Sequence, residues 1–205
     1  MNYTQASLRL IAMPEPDMER TKAAMRKSLE QIERAGQIVH GLRDFMNKGE
    51  LRLALTDVAE PVGDAMRLVA AEANAGGIRL DIRDVDSLPP VMADKTQLVQ
   101  ILVNLMRNAI QALVAAQMTG TVAVTGSLID GKVEVAVSDN GPGIDPAVRT
   151  RLFEPFITTK SSGMGLGLSI SRSIAEAHNG SLSVDYSVTG GTVFRIVLTA
   201  AHRVS

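Results

Sequence analysis

The sequence predicts an α+β chain: a helical hairpin over residues 1–48, then one mixed sheet with helices on one face over 49–205. Three observations carry that prediction. Before residue 50 every periodic pattern is helical, whereas after it strand and helix patterns alternate. Two glycine-containing turns, Asp130-Gly131 and Thr189-Gly190-Gly191, each separate two segments of alternating apolar character, which is how a hairpin reads. Runs of helix followed by paired strands place the helices on one side of a single sheet.

In chain order, residues 2–12 suit a short helix, broken by the two prolines of "MPEPD" at 13–17. Asp17 is placed to cap a second helix reaching Lys48. Met18, Met25, Ile32, Val39 and Met46 recur every seven residues along it, with Ser28, Ala35 and Leu42 three residues on from the middle three. Such a heptad seam packs against other helices, and partner helices from a second copy cover it most economically, giving a homodimeric bundle through 17–48. The other possibility is packing on the chain's own C-terminal domain. Next, "LRLAL" (51–55) reads as a short strand, 57–75 as a helix stopped by Gly76-Gly77, and "IRLDI" (78–82) as a strand. Asp94 caps a helix to Ala116. "TVAVTGSLI" (121–129) and "KVEVAVSD" (132–139) form the first hairpin. A helix from Leu166 to His178 ends at Asn179-Gly180, and "SLSVDYSV" with "TVFRIVL" forms the second hairpin.

Composition narrows the function. The formal net charge is −1, so no basic field invites nucleic acid, and with no Trp and 3% aromatics there is little to stack on bases. Cys is absent, which removes disulfides and thiolate metal sites and fits a reducing, cytoplasmic setting. No uninterrupted apolar run approaches the roughly 20 residues of a membrane span, and the N-terminus does not read as a signal peptide.

Three features carry chemistry. On the helix after Asp94, the face opposite the apolar stripe of Leu98, Ile101, Leu102, Leu105, Ala109, Ile110 and Leu113 consists of amides: Gln97, Gln100, Asn104, Asn108 and Gln111. Each mid-helix Asn costs up to about 0.7 kcal/mol relative to Ala, so two of them one turn apart need a return. An amide oxygen is a hard ligand suited to Mg²⁺. Next, "VSDNGPGID" fixes the carboxylate of Asp139 at a strand end beside bare backbone, where it can accept from a ring amine. Finally, in "SSGMGLGLSI" Gly163, Gly165 and Gly167 open a helix whose N–H groups and dipole would cradle phosphate. This run matches neither the dinucleotide fingerprint nor the P-loop, which argues against Rossmann and Walker sites.

Taken in order, "NLMRNA" (104–109), "DNGPG" (139–143), "FEPFITTK" (153–160), "GMGLGLS" (163–169) and "TGGTVF" (189–194) resemble the N box, first glycine box, F box, second glycine box and last glycine segment of sensor histidine kinases. These belong to the wider group with gyrase, Hsp90 and MutL, and the wording is most similar to the FixL-type branch. The resemblance covers roughly residues 50–200. It implies a Bergerat (GHKL) ATP-binding α/β sandwich, a mixed sheet under three helices, behind a truncated dimerisation hairpin.

By that resemblance the cofactors are ATP and Mg²⁺, and the partner is a response regulator receiver domain. Asp139 receives the adenine amino group, with Thr192 sharing a water nearby. Gly141 and Gly143 flank the ring. Asn108 coordinates Mg²⁺, and Asn104, one turn earlier, faces the phosphates. Gly163, Gly165 and Gly167 form the phosphate side of a lid over Pro146–Met164. Lys160 either reaches phosphate or stays solvated, and Phe153 and Phe156 anchor the lid by packing. The ATP-hydrolysing relatives carry a Glu where Asn104 stands. An amide is no general base, so a phosphotransferase is favoured over an ATPase. The FixL-type phosphoacceptor segment resembles "HELNQPLAAI.NY", and Asn2-Tyr3 matches its end, which puts the acceptor His upstream of residue 1. His40 is followed by Gly41 instead of an acid and reads as a solvated side chain on the second hairpin helix. The chain is then expected to bind nucleotide without autophosphorylating. The rival reading is a non-enzymatic, truncated kinase-like dimer that sequesters a response regulator or a partner kinase.

Overall fold

A computed structural model describes residues 3–12, 17–29, 31–32, 51–158, 165–186 and 190–201. These residues fall in two units, one before residue 49 and one after it. The expected boundary at 48/49 itself lies outside the described residues.

In the first unit α1 spans Tyr3–Ile11, and α2 is helical over 18–29 and again at 31–32. Asp17 caps α2 as expected: its Oδ1 accepts the Arg20 N–H at 3.0 Å. Met18, Met25 and Ile32 of the heptad series stand 58%, 47% and 66% exposed. Val39, Met46, Ala35, Leu42 and His40 lie outside the described residues.

The second unit runs β1 (Ala54–Thr56), α3 (Ala59–Ala75), β2 (Arg79–Arg83), β3 (Val91–Ala93), α4 (Lys95–Ala115), β4 (Thr121–Ile129), β5 (Lys132–Asp139), α5 (Pro146–Arg149), α6 (Gly167–Ala177), β6 (Ser181–Tyr186) and β7 (Thr192–Thr199). The main sheet has strand order β2-β4-β5-β7-β6, and β1 pairs with β3 in a small sheet of two strands. Among the described strands only β2 and β4 pair in parallel, and the connection between them contains α4, as a parallel pair requires. β4 and β5 meet antiparallel across Asp130-Gly131. That turn has φ +50° and +73° at its two centres, the pattern that follows strand twist in a two-residue loop.

The core lies between this sheet and α3, α4 and α6. Val133, Val135 and Val137 of β5 and Phe194, Ile196 and Leu198 of β7 are buried on one sheet face with the apolar side of α4. Every residue of the expected α4 stripe is buried, and Met106 joins it. By length and composition α4 could cross a bilayer, its mean hydropathy reaching 1.4. That qualifies the reading that no stretch approaches a span. Its Ile101, Leu105, Ile110 and Leu113 are nevertheless core side chains of the domain.

Asp94 caps α4, its Oδ1 accepting from the N–H groups of Thr96 and Gln97 at 2.9 and 3.2 Å. Behind the cap sits buried His178, at the C-terminus of α6. Its Nδ1 lies 2.7 Å from the Ile174 carbonyl, and its Nε2 accepts the Asp94 N–H at 3.0 Å. Those roles define a neutral imidazole protonated on Nδ1, tying the end of α6 to the start of α4. The ring thereby serves one of the last carbonyls of α6. His178→Ala leaves the Asp94 N–H without its acceptor and opens a small cavity. We expect a loss of about 2–3 kcal/mol, read as a lower urea midpoint with an unchanged slope.

Candidate functional site

The site begins with strand periodicity. Side chains alternate along β5, so Asp139 continues the face of Val133, Val135 and Val137 and points its carboxylate between the sheet and the helices. β7 enters the sheet between β5 and β6, which sets Thr192 directly opposite Asp139. Residues 53 positions apart thereby become neighbours, and Thr192 is buried. The Asp139 Oδ1 accepts the Gly141 N–H at 2.8 Å. Burial pushes the Asp139 carboxyl above its ordinary value of 3.8, while the Gly141 and Thr192 N–H groups pull it back.

Around this carboxylate the backbone is bare. Gly191 adopts φ +89°, and a Cβ there would overlap the carbonyl oxygen of Asp139. A Cβ on Gly141 would come 2.9 Å from the Asp139 Oδ1. Gly143 faces Gly191 across the same loop. The cradle is thus walled by backbone from two hairpin ends, and side chains would fill it. Asn140 holds the loop to the sheet: its Oδ1 accepts the Thr121 N–H at 2.8 Å. Asn140 went unassigned in the sequence, although an Asn beside a turn glycine is a standard signal for such a side-chain-to-backbone bond.

Across from the sheet, Asn104 and Asn108 lie one turn apart on α4, both half-buried. The Asn104 Nδ2 donates to the Ser171 Oγ on α6 at 2.9 Å. The amide expected to face phosphate is therefore turned toward α6. Ser171, buried and unassigned in the sequence, carried no signal apart from its polar character inside an apolar helix pattern. Leu166 precedes α6 without a side-chain acceptor, so the first N–H groups of that helix have no side-chain cap. Gly167 opens α6 as expected. Gly165, at φ +66°, passes so close to the 156–157 backbone that a Cβ would come 2.5 Å from the Ile157 oxygen. Its carbonyl accepts the Phe156 N–H at 3.0 Å, closing the base of the loop between them. Gly163 and Lys160 lie outside the described residues, as do the remaining lid residues 159–164.

The two F-box aromatics differ. Phe153 packs against the core, with the Arg172 guanidinium 5.3 Å from its ring centre. Phe156 corrects the expectation of lid anchoring: it stands at φ +67° and is 73% exposed. The backbone bond to Gly165 fixes that conformation and turns the ring to solvent. A further contact missed in the sequence is Arg149, whose guanidinium lies 4.2 Å from the Tyr186 ring centre while its Nε donates to the Ile144 carbonyl at 3.0 Å. It pins α5 to the end of β6.

Among the described residues no three His, Asp or Glu side chains gather to hold a metal. A single amide oxygen such as that of Asn108 suits Mg²⁺, which keeps several waters and takes further ligands from phosphates. The site as a whole therefore brings together a half-buried carboxylate suited to a ring amine, a backbone-walled slot suited to a flat ring and a helix start without a side-chain cap.

Comparison with known proteins agrees with this geometry. Residues 93–202, more than half of the chain, match the family described as histidine kinase-, DNA gyrase B-, and HSP90-like ATPase. The sensor protein FixL of Bradyrhizobium diazoefficiens is 39% identical over 201 residues, 98% of this chain and 40% of the relative. The chain thus spans well under half of that relative's length. The nucleotide-free catalytic domain of histidine kinase ThkA is 30% identical with a TM-score of 0.63, covering 72% of this chain and 95% of that one. Full-length ShkA in complex with AMPPNP is 27% identical with a TM-score of 0.73, covering 100% of this chain and 43% of that one.

Proposed function

The chain belongs to the histidine kinase-, DNA gyrase B- and HSP90-like ATPase family and carries a sensor histidine kinase catalytic domain; from that premise we propose that it binds ATP with Mg²⁺ and serves transfer of the γ-phosphoryl group to a histidine, and from there to a response regulator receiver domain. The observation that carries this reading is the inward-facing Asp139 carboxylate at a strand end, bonded to the Gly141 N–H and walled by glycine backbone.

In this reading Asp139 accepts from the adenine amino group, and Thr192 supports the carboxylate through its N–H. Gly141 and Gly143 let the ring lie against backbone. The first N–H groups of α6, which starts at Gly167 without a side-chain cap, receive phosphate oxygens, with Gly165, Gly163 and Lys160 as further contacts. Asn108 supplies the protein ligand to Mg²⁺, which when bound neutralises charge across the phosphates. In the transfer the bond between the γ-phosphorus and its bridging oxygen breaks, a nitrogen–phosphorus bond forms at an imidazole, and ADP leaves. That chemistry needs no residue to deprotonate water, which suits Asn at 104. An ATP substrate puts the domain in the cytoplasm, and the exposed Met18–Met25–Ile32 stripe suits a second copy of the 17–48 helix.

His178 is unsuited to be the acceptor, since both ring nitrogens are bonded and the side chain is buried. The 205-residue chain is expected to bind Mg-ATP in calorimetry and to take no acid-labile phosphate from γ-labelled ATP onto its own histidines. Label on the chain that disappears in His40→Ala would overturn the acceptor assignment. Binding that is indifferent to Asp139→Ala and Asn108→Ala would overturn the site.

A further inference from the structure

The Asn104 amide has a seat of its own on α6. Its Nδ2 donates to the Ser171 Oγ at 2.9 Å, and a Cβ on Gly167 would overlap its Oδ1. Gly167 and Ser171 are four residues apart on one helix and therefore share a face, one turn above the other. Ser171 is buried and Asn104 half-buried. The seat needs two things of α6: no side chain at 167 and a hydroxyl at 171. The third alternating glycine of the run, Gly167, therefore has a packing reason beyond exposing N–H groups to a ligand. It makes room for an amide from another helix.

The position of the seat matters. Gly167 is the first residue of α6, in the turn whose N–H groups have no side-chain cap. Asn104 is one helical turn from Asn108 on α4. A hydrogen bond and a close contact between these two turns fix the helix start relative to the amide face, and so fix the phosphate-binding turn relative to the Mg²⁺-binding amide. The adenine pocket is built separately, from the ends of β5 and β7, and takes nothing from this seat.

We infer that Asn104 is a positioning residue: with Ser171 and Gly167 it locks the first turn of α6 to the Asn108 face of α4, and so sets the phosphate half of the site independently of the adenine half. This rests on the nucleotide reading above. Losing one buried neutral hydrogen bond corresponds to about a 3- to 10-fold change in an equilibrium constant.

The experiment is a double-mutant cycle of Ser171→Ala and Asn104→Ala on the full chain. ATP with Mg²⁺ and adenosine alone are the two ligands, titrated by calorimetry or by displacement of a fluorescent nucleotide, with melting temperatures measured alongside. Ser171→Ala is expected to weaken ATP binding about 3- to 10-fold and adenosine binding by less than about 2-fold. The double variant should lose little more than Asn104→Ala, because the two residues act as one unit. Equal losses for ATP and adenosine would overturn the inference, since they mark a general loosening. Additive losses from the two changes would overturn it as well, because Asn104 would then act without Ser171. An unaltered chain that binds neither ligand ends the nucleotide reading, and this inference with it.

Discussion

Asp139→Asn is expected to cost about 10- to 100-fold in ATP affinity while raising the melting temperature at neutral pH. The first effect follows from chemistry: a hydrogen bond to an ionised acceptor is worth about 1.5–3 kcal/mol, and the substituted amide can offer its one oxygen either to the Gly141 N–H or to a ring amine. The second follows from burial, which is the largest influence on this carboxyl and pushes it above 3.8. Between 3.8 and the raised folded value the native state holds more protons than the unfolded one. The stability this group contributes is therefore fully present below 3.8 and is lost as pH rises through the folded value. Asn never ionises, so the variant escapes that loss. Each kcal/mol relieved raises the melting temperature by roughly 2–4 °C in a domain of this size. Melting curves of both proteins from pH 3 to 8 should converge at the acid end and separate above it. Curves that stay parallel, with the variant lower throughout, would mean that the Gly141 and Thr192 bonds outweigh desolvation. A stabilised, non-binding variant is the pattern expected where a group is kept for function against a folding cost.

The same site shows what a single sequence can and cannot disclose. Asp139 was legible because two local signals agree on it: a strand of alternating valines that ends in an acid, and a turn of Asn and glycines directly after it. Asn104 and Asn108 were legible because amides in mid-helix run against propensity. The fold class was legible for a similar reason, since the two hairpin turns punctuate strands of clear period. β3 was missed because Val91–Ala93 is only three residues long and follows Pro89-Pro90, so it shows no alternation and is defined by its pairing with β1. Ser171 was missed because its partner is 67 residues away in sequence. Phe156 misled because an aromatic in a motif suggests burial, whereas its backbone bond to Gly165 and left-handed conformation turn it outward. Local patterns thus gave the elements and the residues that break propensity. The contacts that decide how those residues point depend on which distant turns the sheet brings together.

Gly191→Ala is expected to cost about 3 kcal/mol or more of stability. Two costs coincide there. The residue sits at φ +89°, where an L side chain is strained, and its Cβ would fall on the Asp139 carbonyl oxygen, with the Asp139 carbonyl carbon at 3.2 Å and the Asn140 Cα at 3.3 Å. All three neighbours are backbone, so no rotamer change relieves the overlap. The hairpin end must move, and it carries the Asp139–Thr192 pair of the sheet and the loop that Asn140 ties to β4. ATP affinity should therefore fall together with stability. Gly131→Asn is the matched control. Its φ is also positive, at +73°, but nothing lies within 4 Å of its Cβ, and Asn visits that conformation at little cost. Urea unfolding of the two variants should show a large fall in midpoint for Gly191→Ala and less than about 1 kcal/mol for Gly131→Asn. Equal midpoints would show that strain in the left-handed region accounts for both and that the backbone wall beside Asp139 yields freely. The wall would then be a poor template for a flat ring, and adenine recognition would rest on the carboxylate alone.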